Sequence, residues 1–123
     1  MASYFPMVKN AAQRIAAPIL DADGDPVSLA TGLDSEYSLD GGAFTDCTNE
    51  ATEIGTSGIY YLDLTAGETN GGFVIIRIQT TTAGAKTTVL IFYTSAQSLD
   101  TVKELVDELE SGAKPPKKAR FEV

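Results

Sequence analysis

The clearest pattern of apolar and polar residues lies between Gly58 and Thr94, where three runs alternate with a period of two. Side chains on a β-strand point alternately to its two faces, so each run predicts a strand. β-branched and aromatic residues dominate the runs, and the separators AGETNGG and TTAGAK are rich in turn-forming residues. The predicted strands are Ile59–Thr65, Phe73–Thr80 and Thr87–Tyr93.

Alternation divides each predicted strand into two sets of side chains. In the first strand Tyr60, Leu62 and Leu64 share one face, and in the second Val74, Ile76 and Ile78 do so. The side chains on both faces of the third strand are apolar. We expect Tyr93, like Tyr60, to face the core. The second and third strands are apolar on both faces, which a sheet with one solvated side does not need. We therefore expect another polypeptide to cover their second faces.

Weaker patterns upstream complete the prediction of a β-sandwich. Pro18 lacks a backbone donor, so its strand belongs at a sheet edge or a bulge. Gly41-Gly42 predicts a tight turn between two of these strands. Seven or so short strands with frequent turns are typical of a sandwich. The upstream strands are predicted at Arg14–Leu20, Val27–Leu33, Asp34–Asp40 and Ala43–Thr48, with a connection or short strand at Asn49–Ser57.

After the last strand the apolar spacing changes to that of an amphipathic helix. Leu99, Val102, Val106 and Leu109 recur at intervals of three and four residues. An isolated helix of this length is marginal in water, so it must dock either on its own sandwich or on another copy. The predicted organisation is an N-terminal arm at 1–13, a sandwich at 14–96, a helix at 98–111 and a basic extended arm at 112–123.

Composition and charge exclude several classes of function. The 123 residues suit one domain, and no apolar run is long enough to span a membrane. The N-terminus lacks the order of a signal peptide, so we expect no secretion by that route. The net charge is −8, and no Lys or Arg lies between Ile15 and Ile76, so we expect neither nucleic acid nor anionic lipid as a partner. This charge serves either solubility alone or the binding of a basic arm from a neighbouring copy.

The commonest general base and the commonest zinc ligand are both missing from the chain. The chain has no histidine, and its single cysteine, Cys47, permits neither an internal disulfide nor a thiolate cluster. The segment Asp21–Asp25 reads DADGD, but an EF-hand would need Gly and Glu where Pro26 and Gly32 stand. We therefore predict a turn with solvated carboxylates, an inert and partly buried thiol, and no metal or cofactor.

Two further features could carry chemistry or binding. The pairs Asp34/Glu36 and Glu50/Glu53 could mimic the carboxylates of a glycosidase, but a small sandwich with short loops rarely has the cleft this requires, and we predict no enzyme. Tyr37 and Tyr61 could stack on a sugar, which leaves glycan contact as an alternative to a place in the core or in a subunit interface.

Several of these segments together resemble a known group of proteins. They are an Asp-Gly-Asp-Pro turn at 23–26, an S-x-D-G-G-x-F hairpin at 38–44, and a G-x-Y-x-L-x-L-T strand at 58–65 with an acidic-Asn turn at 68–70. The sequence from about Ala11 to Thr94 is similar to small immunoglobulin-like virion structural proteins of tailed bacteriophages and prophages. The resemblance implies an all-β, immunoglobulin-like sandwich, and its motifs contain no catalytic residues.

The resemblance and the apolar faces together predict a non-enzymatic virion structural protein of the head, neck or tail. It would decorate or adapt a larger assembly, formed in the cytoplasm of the bacterial host, by binding its own copies and other virion proteins. The alternative is a glycan-binding receptor or adhesion module of a phage tail that uses Tyr37 and Tyr61. The predicted interface residues are Phe5, Phe73, Ile75, Leu90, Phe92, Val106 and Phe121.

Overall fold

In the computed structural model of the chain, the described residues are 7–96 and Val106. Residues 7–96 form eight strands and one short 3-10 helix, η1, between the sixth and seventh strands. The strands are β1 (Met7–Val8), β2 (Gln13–Pro18), β3 (Asp34–Leu39), β4 (Thr45–Asp46), β5 (Thr52–Glu53), β6 (Ile59–Leu64), β7 (Phe73–Gln79) and β8 (Thr88–Ser95), and η1 is Gly67–Thr69.

The strands form two sheets, which confirms the prediction of an all-β sandwich. The first sheet has the order β1-β8-β7-β3-β4, and the second has the order β2-β6-β5. β1 and β8 run parallel, whereas the other neighbours are antiparallel. Each sheet contains strands that are distant in sequence, so the chain passes repeatedly between the two layers.

The core forms between the buried side chains of β6 and those of β7. The inward side chains are almost completely buried, and they come from the faces that the sequence predicts. Ile19, which follows β2, joins them in the same cluster. Burying a large aliphatic side chain stabilises a fold by about 1.5–3 kcal/mol, so these two rows supply much of the stability. The rows are Tyr60, Leu62 and Leu64 on β6 and Val74, Ile76 and Ile78 on β7.

In β8 the buried face is the opposite of the one expected. Leu90 pairs with Ile76 across the sheet and therefore shares its inward face, as Phe92 shares the face of Val74. Leu90 and Phe92 pack against the core, whereas Tyr93 is 74% exposed. The prediction that Tyr93 faces the core is therefore wrong. Both faces of this strand are apolar, so alternation defines two sets of side chains without indicating which set is buried.

The predicted strand Val27–Leu33 is also wrong, because this segment is a loop. Leu29 and Gly32 both have φ of 59°, which is incompatible with extended backbone. Tyr60 holds the loop from within the core: its hydroxyl donates to the carbonyl of Val27 at 2.8 Å and accepts the N–H of Ala30 at 3.0 Å. The Tyr60 side chain therefore satisfies two backbone groups of the loop, which in a strand would bond to a neighbouring strand.

The turn between β3 and β4 lies one residue earlier than predicted. The N–H of Gly42 donates to the carbonyl of Leu39 at 2.9 Å, so the central residues are Asp40 and Gly41 rather than Gly41 and Gly42. Their φ angles are 53° and 82°, as a type I′ hairpin turn requires. The Asp40 carboxylate also accepts the N–H of Gly72 at 2.8 Å, which links the hairpin to the start of β7.

Met7 and Val8 belong to the sandwich, although the sequence placed them in an N-terminal arm. Met7 is buried in the core, and β1 pairs with β8. Between β1 and β2 the chain crosses from the first sheet to the second, and the buried amide of Gln13 donates there to the carbonyls of Val8 and Ala11. Pro18 is the last residue of β2, an edge strand, in agreement with the sequence.

The predicted helix at 98–111 and the basic arm at 112–123 lie outside the described residues, apart from Val106. Val106 has helical backbone and is exposed. No helix within the described part of the chain is long and apolar enough to cross a membrane.

Candidate interaction surface

The side of the first sheet that faces away from the core carries a continuous group of apolar side chains. Across β7 and β8, Phe73 is paired with Tyr93 and Ile75 with Ile91. The rings of Phe73 and Tyr93 have their centroids 6.1 Å apart. We call this surface the outer face, and it comprises Phe73, Ile75, Val89, Ile91 and Tyr93.

The β8 side chains of the outer face are unusually exposed for large apolar residues. Val89 is 54%, Ile91 60% and Tyr93 74% exposed, whereas Phe73 and Ile75 are half-buried. Single exposed apolar residues are common, but a contiguous group on one sheet is typical of an interaction site. Covering these side chains would stabilise a complex by roughly 1 kcal/mol each, because about half of each is still in contact with water.

A charged group borders the outer face on the side of β3. The guanidinium of Arg77 lies 4.0 Å from the centre of the Phe44 ring and donates to the Glu36 carboxylate, with Nε 3.1 Å from Oε1. Arg77 also pairs across the strands with Val89, so it adjoins the apolar group. An apolar centre with a charged rim is the usual organisation of a protein–protein interface.

The predicted interface residues do not all lie on this surface. Phe73 and Ile75 belong to the outer face, but Leu90 and Phe92 pack inward against the core. Phe5 and Phe121 lie outside the described residues, and Val106 is separate in sequence from the sandwich. Val89, Ile91 and Tyr93 were not among the predicted interface residues, because that prediction placed the opposite face of β8, with Leu90 and Phe92, at the interface.

The two tyrosines proposed for glycan contact are not brought together. Tyr37 packs against the core from the first sheet. Tyr61 belongs to β6 in the second sheet, where the guanidinium of Arg14 lies 4.0 Å from its ring centre and donates to Asp63. No single sugar ring can stack on both side chains.

Two of the four carboxylates considered as catalytic pairs accept backbone N–H groups of other segments. Glu50 accepts the N–H of Ser35 at 2.7 Å. Glu53 accepts the N–H groups of Leu29 at 3.0 Å and Gly58 at 2.9 Å, and these bonds lower the pKa of its carboxyl group. In the other pair, Glu36 binds Arg77. Burial raises the pKa of Asp34, and the charge of Glu36 raises it further.

The acidic segment at 21–25 forms a turn, as the sequence predicts. The side chains of Asp21, Asp23 and Asp25 approach within 4.8 Å of one another. One oxygen of Asp21 accepts the N–H groups of Asp23 at 2.9 Å and Asp25 at 3.0 Å. This is the geometry of an Asx turn, in which a carboxylate organises its own loop.

The thiol of Cys47 is buried in the core cluster. Burial raises its pKa to about 12, with a further contribution from the charges of Glu68 and Glu50. A thiol acts as a nucleophile only when it is ionised, so this environment suppresses its reactivity.

Comparisons of the chain with protein-family models, with curated proteins and with solved structures found no significant match.

Proposed function

We propose that the chain is a non-enzymatic structural protein of a tailed-phage virion, acting in the head, neck or tail as a decoration or adaptor module. It assembles with its own copies and with other virion proteins through the outer face of the first sheet. The observation that carries the assembly role is the contiguous exposure of Val89, Ile91 and Tyr93.

The strand order supports an immunoglobulin-like interpretation of the sandwich. In an immunoglobulin variable domain the sheets contain the orders G-F-C-C′ and B-E-D, and the sequence of this chain runs through β8-β7-β3-β4 and β2-β6-β5 in the same way. The chain lacks the tryptophan and the disulfide of antibody domains. Its motif-level similarity to phage virion modules accounts for the virion part of the proposal.

Self-association through the outer face is compatible with simple symmetry. In a twofold dimer the same patch of both copies is buried, so each apolar side chain contributes twice. A stable interface needs about 1,000 Å² of buried surface in total, and the outer face spans two long neighbouring strands with a charged rim. Contacts by the segments beyond residue 96 would add to this area.

Light scattering after size-exclusion chromatography tests the assembly role. We expect the unmodified protein to form oligomers, and we expect Ile91→Lys to shift it to monomers because a buried unpaired ammonium is costly. Leu29→Lys is the matched control, since Leu29 is 73% exposed on a loop outside the outer face. A monomeric unmodified protein at high concentration would contradict self-assembly.

The virion role needs a separate experiment. Mass spectrometry of purified phage particles from the strain that carries the gene should detect the chain as a regular component. Its absence from those particles would contradict the virion proposal and leave the self-association result unaffected.

A further inference from the structure

The turn between η1 and β7 contains an Asn-Gly pair, Asn70-Gly71. Of the three asparagines in the chain, Asn70 alone is followed by glycine. Its side chain is exposed and makes no hydrogen bond within residues 7–96. Glycine has no Cβ, so its backbone nitrogen is less hindered than that of any other residue. An exposed asparagine before glycine is therefore a candidate for spontaneous chemical modification.

The reaction open to this pair is deamidation through a cyclic imide. The backbone nitrogen of Gly71 attacks the side-chain carbonyl carbon of Asn70, loses its proton and forms a five-membered ring. The side-chain amide leaves as ammonia. Water then opens the ring at either of its two carbonyl carbons and gives aspartate or isoaspartate. No group other than water is consumed.

The fold holds the pair in a conformation that cannot close this ring. Asn70 has φ of −86° and ψ of 57°, and the N–H of Gly71 donates to the carbonyl of Thr69 at 3.0 Å. These features define an inverse γ-turn centred on Asn70. At this ψ the Gly71 nitrogen lies anti to the Cβ of Asn70 about the Cα–C bond, whereas ring closure needs the two atoms nearly eclipsed. Gly71 is also buried, although Asn70 is exposed.

Contacts from several segments keep this turn closed. The carbonyl of Thr69 also accepts the N–H of Asn10 at 3.2 Å. The N–H of Gly72 donates to the carboxylate of Asp40 at 2.8 Å. Within η1, the carboxylate of Glu68 accepts two further backbone N–H groups at 2.7 and 2.9 Å. The attacking nitrogen is released only when some of these bonds break together.

We propose that Asn70 is a deamidation site whose rate is controlled by local opening of η1 and the γ-turn. In the closed turn the nucleophile points away from its target, so the reaction proceeds from the opened segment. Segments of a folded protein open locally at a lower free energy than the whole fold. The rate at Asn70 therefore reports how often this turn opens. The proposal concerns a modification site and goes beyond the assembly role.

The isoaspartate product cannot rebuild the turn. Its main chain passes through the former side chain, which inserts an additional carbon atom into the backbone before Gly71. Gly72 is the next residue, and its carbonyl accepts the N–H of Thr94 at 3.1 Å while its N–H binds Asp40. Phe73, the first residue of β7, follows directly. Deamidation therefore loosens the link between the β3–β4 hairpin and β7 irreversibly, and it adds one negative charge.

Peptide mass spectrometry of the full chain, after incubation in buffer and in urea, tests the site. We expect aspartate and isoaspartate to accumulate at position 70 quickly in urea and slowly in buffer. Asn49, which precedes Glu50, is the internal control and should stay intact in both. An intact Asn70 in urea would overturn the site, and equal rates in the two solutions would overturn its protection by the turn.

Two variants separate local opening from global unfolding. Glu68→Ala removes the acceptor of two N–H groups and should accelerate deamidation of Asn70 in buffer about tenfold, roughly the factor of one lost hydrogen bond. Gly58→Ala is the matched control, because it strains the chain at the opposite end of β6 from η1, and it should leave the rate unchanged.

Two further measurements keep this comparison decisive if a variant folds poorly. In urea the unmodified protein and both variants should react at the same rate, because the reacting pair is identical. Glu68→Gln retains one carbonyl acceptor and should accelerate the reaction in buffer less than Glu68→Ala does. Equal acceleration by Glu68→Ala and Gly58→Ala in buffer would show that deamidation follows global unfolding, and would overturn control by the turn.

Discussion

The carboxylate of Glu68 accepts the backbone N–H of Thr48 at 2.7 Å, and so ties the loop after β4 to the turn before β7. Its second oxygen accepts the N–H of Thr65 at 2.9 Å, just before η1. Glu68 is only 3% exposed. Two loop amides therefore depend on one buried side chain.

We expect Glu68→Ala to lower the free energy of unfolding by about 2–4 kcal/mol, because it leaves two shielded N–H groups without an acceptor. Glu68→Gln retains one carbonyl oxygen and should lose less. Urea denaturation of both variants measures the difference. Equal stability of the two variants and the unmodified protein would show that water replaces the carboxylate without cost.

Alanine substitutions at two glycines distinguish the cost of backbone strain from the cost of a steric clash. Gly55 and Gly58 have φ of 61° and 76°, so alanine is strained at both positions. A Cβ at Gly55 meets nothing within 4 Å, whereas one at Gly58 lies 2.5 Å from the Cβ of Pro26. We expect Gly55→Ala to cost about 1 kcal/mol and Gly58→Ala about 1–3 kcal/mol more. Thermal unfolding checks the order, and a larger loss at Gly55 would contradict it.

The stability of the protein should depend on pH through Glu53. Its pKa is lowered by the N–H groups of Leu29 and Gly58, so its contribution is present above the ordinary value of 4.5. That contribution is lost as the pH falls below 4.5 through the lower pKa of the folded state. Urea midpoints measured near neutrality and in acid should therefore differ less for Glu53→Gln than for the unmodified protein. Asp23→Asn is a charge-matched control in an exposed turn, and an identical effect of both variants would contradict a specific role for Glu53.

Cys47 should react with thiol reagents only after unfolding. Its pKa rises from 9.0 to about 12 in the fold. At neutral pH the thiolate fraction is then roughly a thousandfold smaller than in the unfolded chain. Reaction with an aromatic disulfide should be very slow in buffer and fast in urea. Equal rates in the two solutions would show that the thiol is accessible and ionised in the folded protein.

The sequence predicts the central strands well because each alternates with a period of two along its length and buries one of its faces. In β6, Tyr60 and Tyr61 are neighbours of the same residue type, yet alternation with Leu62 and Leu64 correctly assigns Tyr60 to the core. The same rule fails in β8, where both faces are apolar and a single strand carries no information about its partner sheet. The register of β8 against β7, in which Leu90 pairs with Ile76, places one of its two apolar faces in the core.

Short or irregular elements are the other limit of prediction from sequence. β1 contains two residues, too few to show a period, and its place is defined by pairing with β8. The loop at 27–33 contains enough apolar residues to suggest a strand, but the positive φ angles of Leu29 and Gly32 exclude one. The pairing of β8 with β7 also determines which side chains of β8 lie on the outer face. The sequence could therefore predict that a second apolar face exists, but not which residues of β8 belong to it.

Acidic residues of this protein have two different roles: some carboxylates accept backbone N–H groups from other segments, and others lie in exposed turns. Glu50, Glu53 and Glu68 each accept a backbone N–H from a distant segment, whereas Asp23 lies in an exposed turn. An engineered version with a higher isoelectric point could exchange residues such as Asp23 for neutral or basic ones. The same exchange at the three glutamates would remove the acceptors of these backbone N–H groups, so their negative charges are a by-product of how this small sandwich joins its strands.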